Sequence, residues 1–308
     1  MSISDSWRGL ILGITFPALV GCALTPTAPW LWGGELACHW GAWAAFAALP
    51  AVALWAKVPV VSGPLLVLVL VGAAPSFLGA WSPRAPQPPA GEGLTVAWGN
   101  HYIVTSPVRR SSNIAALLAS DPDLVGLAEV NQSADRPGID AKRWPHQYWL
   151  EDPRWHDYTA LLSRHPISSV DIIDHPHGHP FFVATVEVRG RRLSVVCAHT
   201  ESPRGPAPIT MRNEQIALIA STVRGLATTG PVLVMGDLNV TPASPGWAPL
   251  VEAGLERPIS EPATWHAVLG PYGIPIDHIL GVGLAIAPPT PVDLPYSDHR
   301  GLITRVAW

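Results

Sequence analysis

Between Arg8 and Glu35 the chain carries no charged residue and no histidine, between Glu35 and Lys57 only His39, and between Lys57 and Arg84 no acid or base at all. Stretches like these leave a helix almost no solvated face, which makes a helical core exposed to water hard to build from them. Each exceeds the roughly 20 apolar residues that cross a bilayer core. Trp7, Trp30, Trp32, Trp55 and Trp81 fall at their ends, where interfacial aromatic residues collect. The pattern predicts three transmembrane helices, near 9–28, 36–56 and 60–81, in a membrane domain over 1–81. Pro17, Pro50, Pro64 and Pro75 would be tolerated inside packed membrane helices. A buried helical core is the alternative. Arg8 and Lys57 would face one side and Arg84 the other, so the positive-inside rule puts the N-terminus inside. The chain is therefore predicted to be a multi-pass cell-membrane protein whose C-terminal domain is extracytoplasmic.

Leu19-Val20-Gly21-Cys22 also reads as a lipoprotein-type cleavage site, which would make Cys22 a lipid anchor. After the apolar region comes a Pro-rich linker over 82–92, expected to be extended and semi-rigid. Residues 93–308 suffice for one α/β domain with its own core. From residue 82 onward lie 17 of the 19 bases and 21 of the 23 acids, a net charge of −4. Such a surface is a poor match for sequence-independent binding along a nucleic-acid backbone, although a local basic cleft is compatible with it. Cys197 is the one cysteine of this domain, which excludes a disulfide within it and reads as a core residue.

Strands are predicted over 94–98, leading to Asn100, and over 123–128, 158–162, 181–188, 193–198, 231–235, 276–280 and 302–308. Helices are predicted over 113–119 and 210–226, with Thr210 as a candidate N-cap. Strands outnumber helices and hairpins mix with crossovers, which favours a mixed α/β sandwich over a doubly wound parallel sheet. Polar residues collect at the strand ends: Asn100, Glu129, His199, Asp237, Asn239, Asp277, Asp298 and His299.

Five motifs carry these residues in order: Asp-Leu-Val-Gly-Leu-Ala-Glu (123–129), Val-Val-Cys-Ala-His (195–199), Gly-Asp-Leu-Asn (236–239), Ile-Asp-His-Ile-Leu (276–280) and Ser-Asp-His (297–299). Over about 93–308 the chain resembles the endonuclease/exonuclease/phosphatase superfamily. The resemblance implies a four-layer α/β sandwich, two mixed β-sheets flanked by helices, preceded here by the three transmembrane helices. It further implies a Mg²⁺ site, with Mn²⁺ as a substitute, at Glu129 with Asn100 and Asp298. Asp237 and Asn239 would orient an attacking water, His299 steadied by Asp277 would act as proton acceptor or charged clamp, and His199 would bind phosphoryl oxygens. The sequence departs from the family pattern at Ala128, where a Gln is usual, and at Gly99, which separates Trp98 from Asn100.

Some signals have two readings. Asp277 alone is compatible with turn chemistry. Arg204 and Arg212 are candidate substrate-binding residues for a second phosphate, or surface arginines. His175, His177 and His179 read as a solvated loop, with a transition-metal site as the alternative. Trp144, Trp149 and Trp155 read as packing or membrane-facing aromatics more than a base-stacking platform. The layout is similar to membrane-anchored bacterial members of the teicoplanin-resistance (VanJ) type. That implies hydrolysis of a phosphorylated lipid such as undecaprenyl pyrophosphate, with the lipid bilayer as partner. A surface nuclease, a sphingomyelinase-like phosphodiesterase and a non-enzymatic membrane scaffold are the alternatives.

Overall fold

The computed structural model describes residues 5–28, 31–54, 59–80, 82–89, 93–152 and 157–308. Trp30, Trp55, Trp81, Trp155 and the end of the Pro-rich linker lie outside them, as does the side chain of Trp7. The chain forms two compact units. One comprises Met1–Ser82 with Pro203–Pro206 and Val240–Ala248; the other comprises Pro83–Ser202, Ala207–Asn239 and Pro249–Trp308.

The first unit is helical: α1 (Asp5–Leu24), α2 (Trp32–His39), α3 (Gly41–Leu54) and α4 (Pro59–Ala80). Small side chains let these helices approach closely, with Ala18, Cys22, Ala45, Ala48 and Val69 buried together. The three membrane spans expected over 9–28, 36–56 and 60–81 are overturned. So is the multi-pass membrane placement with an outward-facing domain. Among the described residues, no helix is long and apolar enough to cross a membrane. The physical reason is clearest in the middle of the region, where lack of charge did not translate into helical continuity. The expected second span is interrupted at Trp40, leaving α2 with 8 residues and α3 with 14. At 1.5 Å per residue α3 is about 21 Å long, short of the roughly 30 Å of a hydrocarbon core. The first helix, α1, ends at Leu24, where a 3₁₀ turn over Thr25–Thr27 takes over before the expected end at 28.

The second unit is built on two sheets. Its elements are β1 (Leu94–Asn100), α5 (Pro107–Leu118), β2 (Leu124–Val130), α6 (Gln132–Asp135), β3 (His146–Asp152), β4 (Asp157–Ser163), β5 (Ile167–Ile173), β6 (Phe181–Val188) and β7 (Arg191–His199). They continue with α7 (Pro206–Ala227), β8 (Val232–Asp237), α8 (Ala248–Glu252), β9 (Asp277–Val282), β10 (Ala285–Ile286), β11 (Thr290–Asp293) and β12 (Arg300–Ala307). A seven-stranded sheet runs β10-β12-β1-β2-β4-β3 with β11 on β12, and a five-stranded sheet runs β5-β6-β7-β8-β9. Within each, one pair is parallel, β1 with β2 and β7 with β8.

Unbroken apolar runs in β1, β2, β7 and β8 are what strands covered on both faces require. Trp98, Leu124, Phe182, Val195, Cys197, Leu233, Met235 and Ile279 from both sheets form one core. Each such side chain contributes about 1.5–3 kcal/mol by leaving water. Cys197 is fully buried there, and burial pushes its thiol far up, as a core cysteine requires. On the other face of the larger sheet, Ile114, Leu117 and Leu118 of α5 pack with Ala97, Val125 and Leu127. This mixed two-sheet α/β arrangement agrees with the sandwich. The described part of the Pro-rich linker is not a free tether: Ala85 is buried in the core and its N–H donates to the Arg257 carbonyl at 2.8 Å.

Candidate active site

Strand register brings the polar strand-end residues together. His199 pairs with Asp237 across β7 and β8, and Asp237 pairs with Asp277 across β8 and β9. Gly236 allows this approach, because a Cβ there would stand 2.5 Å from the Ala198 carbonyl oxygen. Gly236→Ala forces the two strands apart and costs about 1–3 kcal/mol. A drop in Tm of about 2–12 °C in a thermal melt is the expected result for a domain of this size.

Asn100 is the hub. Fully buried, it donates through Nδ2 to Glu129 Oε1 at 2.9 Å and to Asp237 Oδ2 at 3.0 Å. Its Oδ1 accepts from the Tyr102 N–H at 3.0 Å, so its amide bridges the two carboxylates. Glu129 Oε2 accepts from the Ile103 N–H at 3.0 Å. Two site residues hold left-handed backbone, Glu129 with φ 55° and Asn239 with φ 48°. Asparagine tolerates that region, whereas for Glu129 it is uncommon, and a bulge in β2 between Leu127 and Val130 accommodates it. Strain of this kind persists where surrounding contacts fix it, here the bonds from Asn100 and Ile103.

Asp277 stands behind the cluster, accepting from Trp98 Nε1 at 2.9 Å and from His299 Nδ1 at 2.8 Å. His299 Nε2 lies 3.7 Å from Asp237 Oδ2 and 4.0 Å from Asp298 Oδ1. His199 Nε2 lies 3.7 Å from Glu129 Oε1 and 3.9 Å from Asp237 Oδ2. Trp98 thus anchors Asp277 in the core, and the one-residue offset of the aromatic from Asn100 has a structural use.

These contacts separate the protonation states. Burial and the Asp277 charge raise the Asp237 carboxyl to about 6, against the opposing pull of His299, His199 and Asn100. Burial opposes a charged His299, yet Asp277 and Asp237 push it up to about 10. Asp277 and Glu129 are both held below the usual carboxylate range. Burial works against this, but His299 and Trp98 outweigh it at Asp277, and His199, Asn100 and Ile103 do so at Glu129. One carboxylate is therefore poised near neutrality among groups of fixed charge.

Asn239 donates through Nδ2 to the Thr200 carbonyl at 2.9 Å, and its N–H donates to Asp237 Oδ1 at 3.1 Å. Arg212 is fully buried and donates through Nη1 to the Asn239 carbonyl at 2.7 Å, so it holds the backbone of the site. Arg204 is exposed and belongs to the helical unit. Asp298 accepts from Trp265 Nε1 at 3.0 Å. Trp144 is buried and donates to the Pro122 carbonyl at 2.9 Å, while Trp149 is buried in the same core, so both are packing residues.

The histidine-rich loop contributes a residue that sequence reasoning assigned to solvent. His175 is buried, with its Nε2 3.6 Å from Glu214, and His177 is exposed. His179 instead stacks on His199 with ring centroids 4.9 Å apart and an interplanar angle of 17°. Asp152 Oδ2 accepts from His179 Nδ1 at 2.8 Å, and Glu201 Oε2 stands 3.7 Å from its Nε2. Only a fold that brings the end of β3 beside this loop makes the contact, so no local signal announced it. His179→Ala removes the plate that fixes the His199 ring and lowers kcat about tenfold, whereas His179→Phe, which keeps a flat ring, retains most of it. Equal losses in the two variants would refute a stacking role.

Residues 97–299 match the Endonuclease/Exonuclease/phosphatase family. The chain is similar to the protein YbhP of Escherichia coli K12, 26% identical over 215 residues covering 60% of this chain and 83% of that one. Sphingomyelinase C from Streptomyces griseocarneus superposes with a TM-score of 0.55 at 19% identity, covering 70% of this chain and 99% of that one. Beta toxin from Staphylococcus aureus, solved with bound magnesium ions, gives a TM-score of 0.52 at 15% identity, covering 70% and 99%. At these identities the structural likeness is one of fold.

Proposed function

The chain belongs to the Endonuclease/Exonuclease/phosphatase family, and from that premise we propose that it is a divalent-metal-dependent phosphohydrolase that attacks phosphorus with water. The observation that carries this reading is the continuous set of contacts from Asp277 through His299, Asp237 and Asn100 to Glu129.

The donor set fits a hard cation. Asp298 Oδ1 is buried without a hydrogen-bond partner among the described residues, and Glu129 supplies a second carboxylate. Oxygen donors of this type suit Mg²⁺ or Mn²⁺. Beta toxin, with bound magnesium, supports the same assignment. Glu129 and Asp298 would hold the ion, which would neutralise charge on the phosphoryl oxygens.

The protein's own groups supply the rest. Asp237, raised to about 6, accepts a proton from the attacking water, while the Asn239 side chain sets the water's direction. His299, pushed up to about 10, keeps its proton and serves as a charged clamp in preference to the base. His199 offers a second imidazole to the phosphoryl oxygens. Water oxygen joins phosphorus as the bond to the leaving oxygen breaks, giving a phosphate product and a free alcohol or second phosphate.

The net acidic domain favours a compact phosphorylated headgroup over a nucleic-acid strand. A lipid-linked pyrophosphate such as undecaprenyl pyrophosphate is the substrate proposed. The test is turnover by the full chain with Mg²⁺ on polyprenyl pyrophosphate, sphingomyelin and DNA in parallel. Activity on the first alone is expected, activity on either of the others would replace the substrate assignment, and none above an Asp237→Ala control would overturn the enzyme reading. Glu129→Gln raises the Mg²⁺ concentration needed for half-maximal rate by at least about tenfold. An unchanged requirement in a metal titration would remove Glu129 from the metal site.

A further inference from the structure

The helical unit contains a second group of metal-binding side chains. Glu35, Cys38 and His39 lie on α2, and one donor atom from each falls within 4.8 Å of the other two. Their spacing of three and four residues puts all three on one helical face. All are buried: Cys38 fully, Glu35 at 2% and His39 at 8% exposure. Burying a carboxylate and an imidazole side by side in a helix of apolar composition is costly unless something compensates their charge.

The surroundings match those of a ligand set. His39 Nδ1 lies 2.8 Å from Thr241 Oγ1, which fixes the ring and turns Nε2 toward Glu35 Oε1 at 3.7 Å. Ser244 Oγ donates to the same Glu35 oxygen. Metal-binding histidines characteristically have their other ring nitrogen held by a hydrogen bond, and ligating carboxylates are themselves hydrogen-bonded. Thr241 and Ser244 belong to the segment Val240–Ala248 of the same unit, so ligands and supports come from separate parts of the chain. Cys38 Sγ donates to the Glu35 carbonyl at 2.9 Å, and that proton would leave to solvent on metal binding.

We propose that Glu35, Cys38 and His39 form a binding site for a borderline divalent transition metal, zinc above all. Tetrahedral zinc with bonds of about 2.0–2.3 Å needs its donors about 3.3–3.7 Å apart. The His39–Glu35 separation already meets this, and side-chain rotation brings in the thiol. Thiolate and imidazole select against Mg²⁺, so this site and the carboxylate centre take different ions. Water completes the fourth position.

The test is a Co²⁺ titration of the metal-stripped full chain, followed by absorption. A thiolate-to-cobalt charge-transfer band is expected in the wild type. The band should persist in Glu129→Ala, Cys22→Ala and Cys197→Ala and vanish in Cys38→Ser. No band in the wild type, or an undiminished band in Cys38→Ser, overturns the site. If Cys38→Ser does not fold, Thr241→Val decides: Zn²⁺ affinity lower by about 10–100-fold supports the site, and unchanged affinity refutes it. The optical readout is independent of phosphohydrolysis, so either proposal can fail alone.

Discussion

Asp237→Asn lowers kcat by about 10²–10⁴-fold while KM changes far less, because the variant keeps the shape of the site and removes its proton acceptor. The amide still receives the Asn239 N–H at Oδ1 and gives up the bond that Oδ2 takes from Asn100 Nδ2, while Glu129 and Ile103 keep theirs, so the residues around the substrate stay in place. The pH profile distinguishes this from a packing defect. With the Asp237 carboxyl raised to about 6, the wild-type rate climbs as pH rises through that value, since only the ionised form can take a proton. In Asp237→Asn the residual rate lacks that limb. An acid limb near 6 in both proteins would assign the titration to another group and remove Asp237 as the base.

The site was legible where chemistry is written in contiguous motifs and opaque where it depends on packing. Gly-Asp-Leu-Asn over 236–239 closes β8 and Ser-Asp-His over 297–299 leads into β12; pairing of β8 with β9 sets Asp237 beside Asp277, and His299 bonds to Asp277 from the other sheet. By contrast, β3 and β5 were invisible because edge strands carry mixed rather than apolar faces. Ile167–Ile173 shows this, since none of its residues is buried. Arg212 was open to two readings in the sequence, a contact to a second phosphate or a surface arginine; it is buried, and its Nη1 donates to the Asn239 carbonyl, a role that no local motif announces. The left-handed backbone of Glu129 has no sequence signal at all, since nothing local favours it. The first eighty residues misled for a related reason. Hydropathy records how little charge a segment carries, while whether it runs as one helix depends on breaks such as those at Leu24 and Trp40.

Asp277→Asn removes the charge that keeps His299 protonated, and at pH 8 it lowers kcat by about 10²–10³-fold. Asp277 touches no reacting atom; it acts through the 2.8 Å bond to His299 Nδ1 and is itself fixed by Trp98 Nε1. Because His299 is pushed up to about 10, the wild-type rate should hold until pH approaches that value and fall beyond it as the clamp loses its proton. Without Asp277 the imidazole falls toward the ordinary histidine value, with Asp237 and Asp298 still holding it partly up, so the alkaline limb moves to lower pH. The deficit at pH 8 should therefore shrink when both proteins are assayed near pH 6. Stability follows the same sign. A histidine whose folded value is raised contributes fully below its unfolded value, and that contribution is lost as pH rises through about 10. The Tm gap between wild type and Asp277→Asn should be widest just below the unfolded histidine value of about 6.5, shrink as pH rises, and be narrow above 10. A His299 ring proton resonance that titrates alike in both proteins would show that Asp277 does not set its charge.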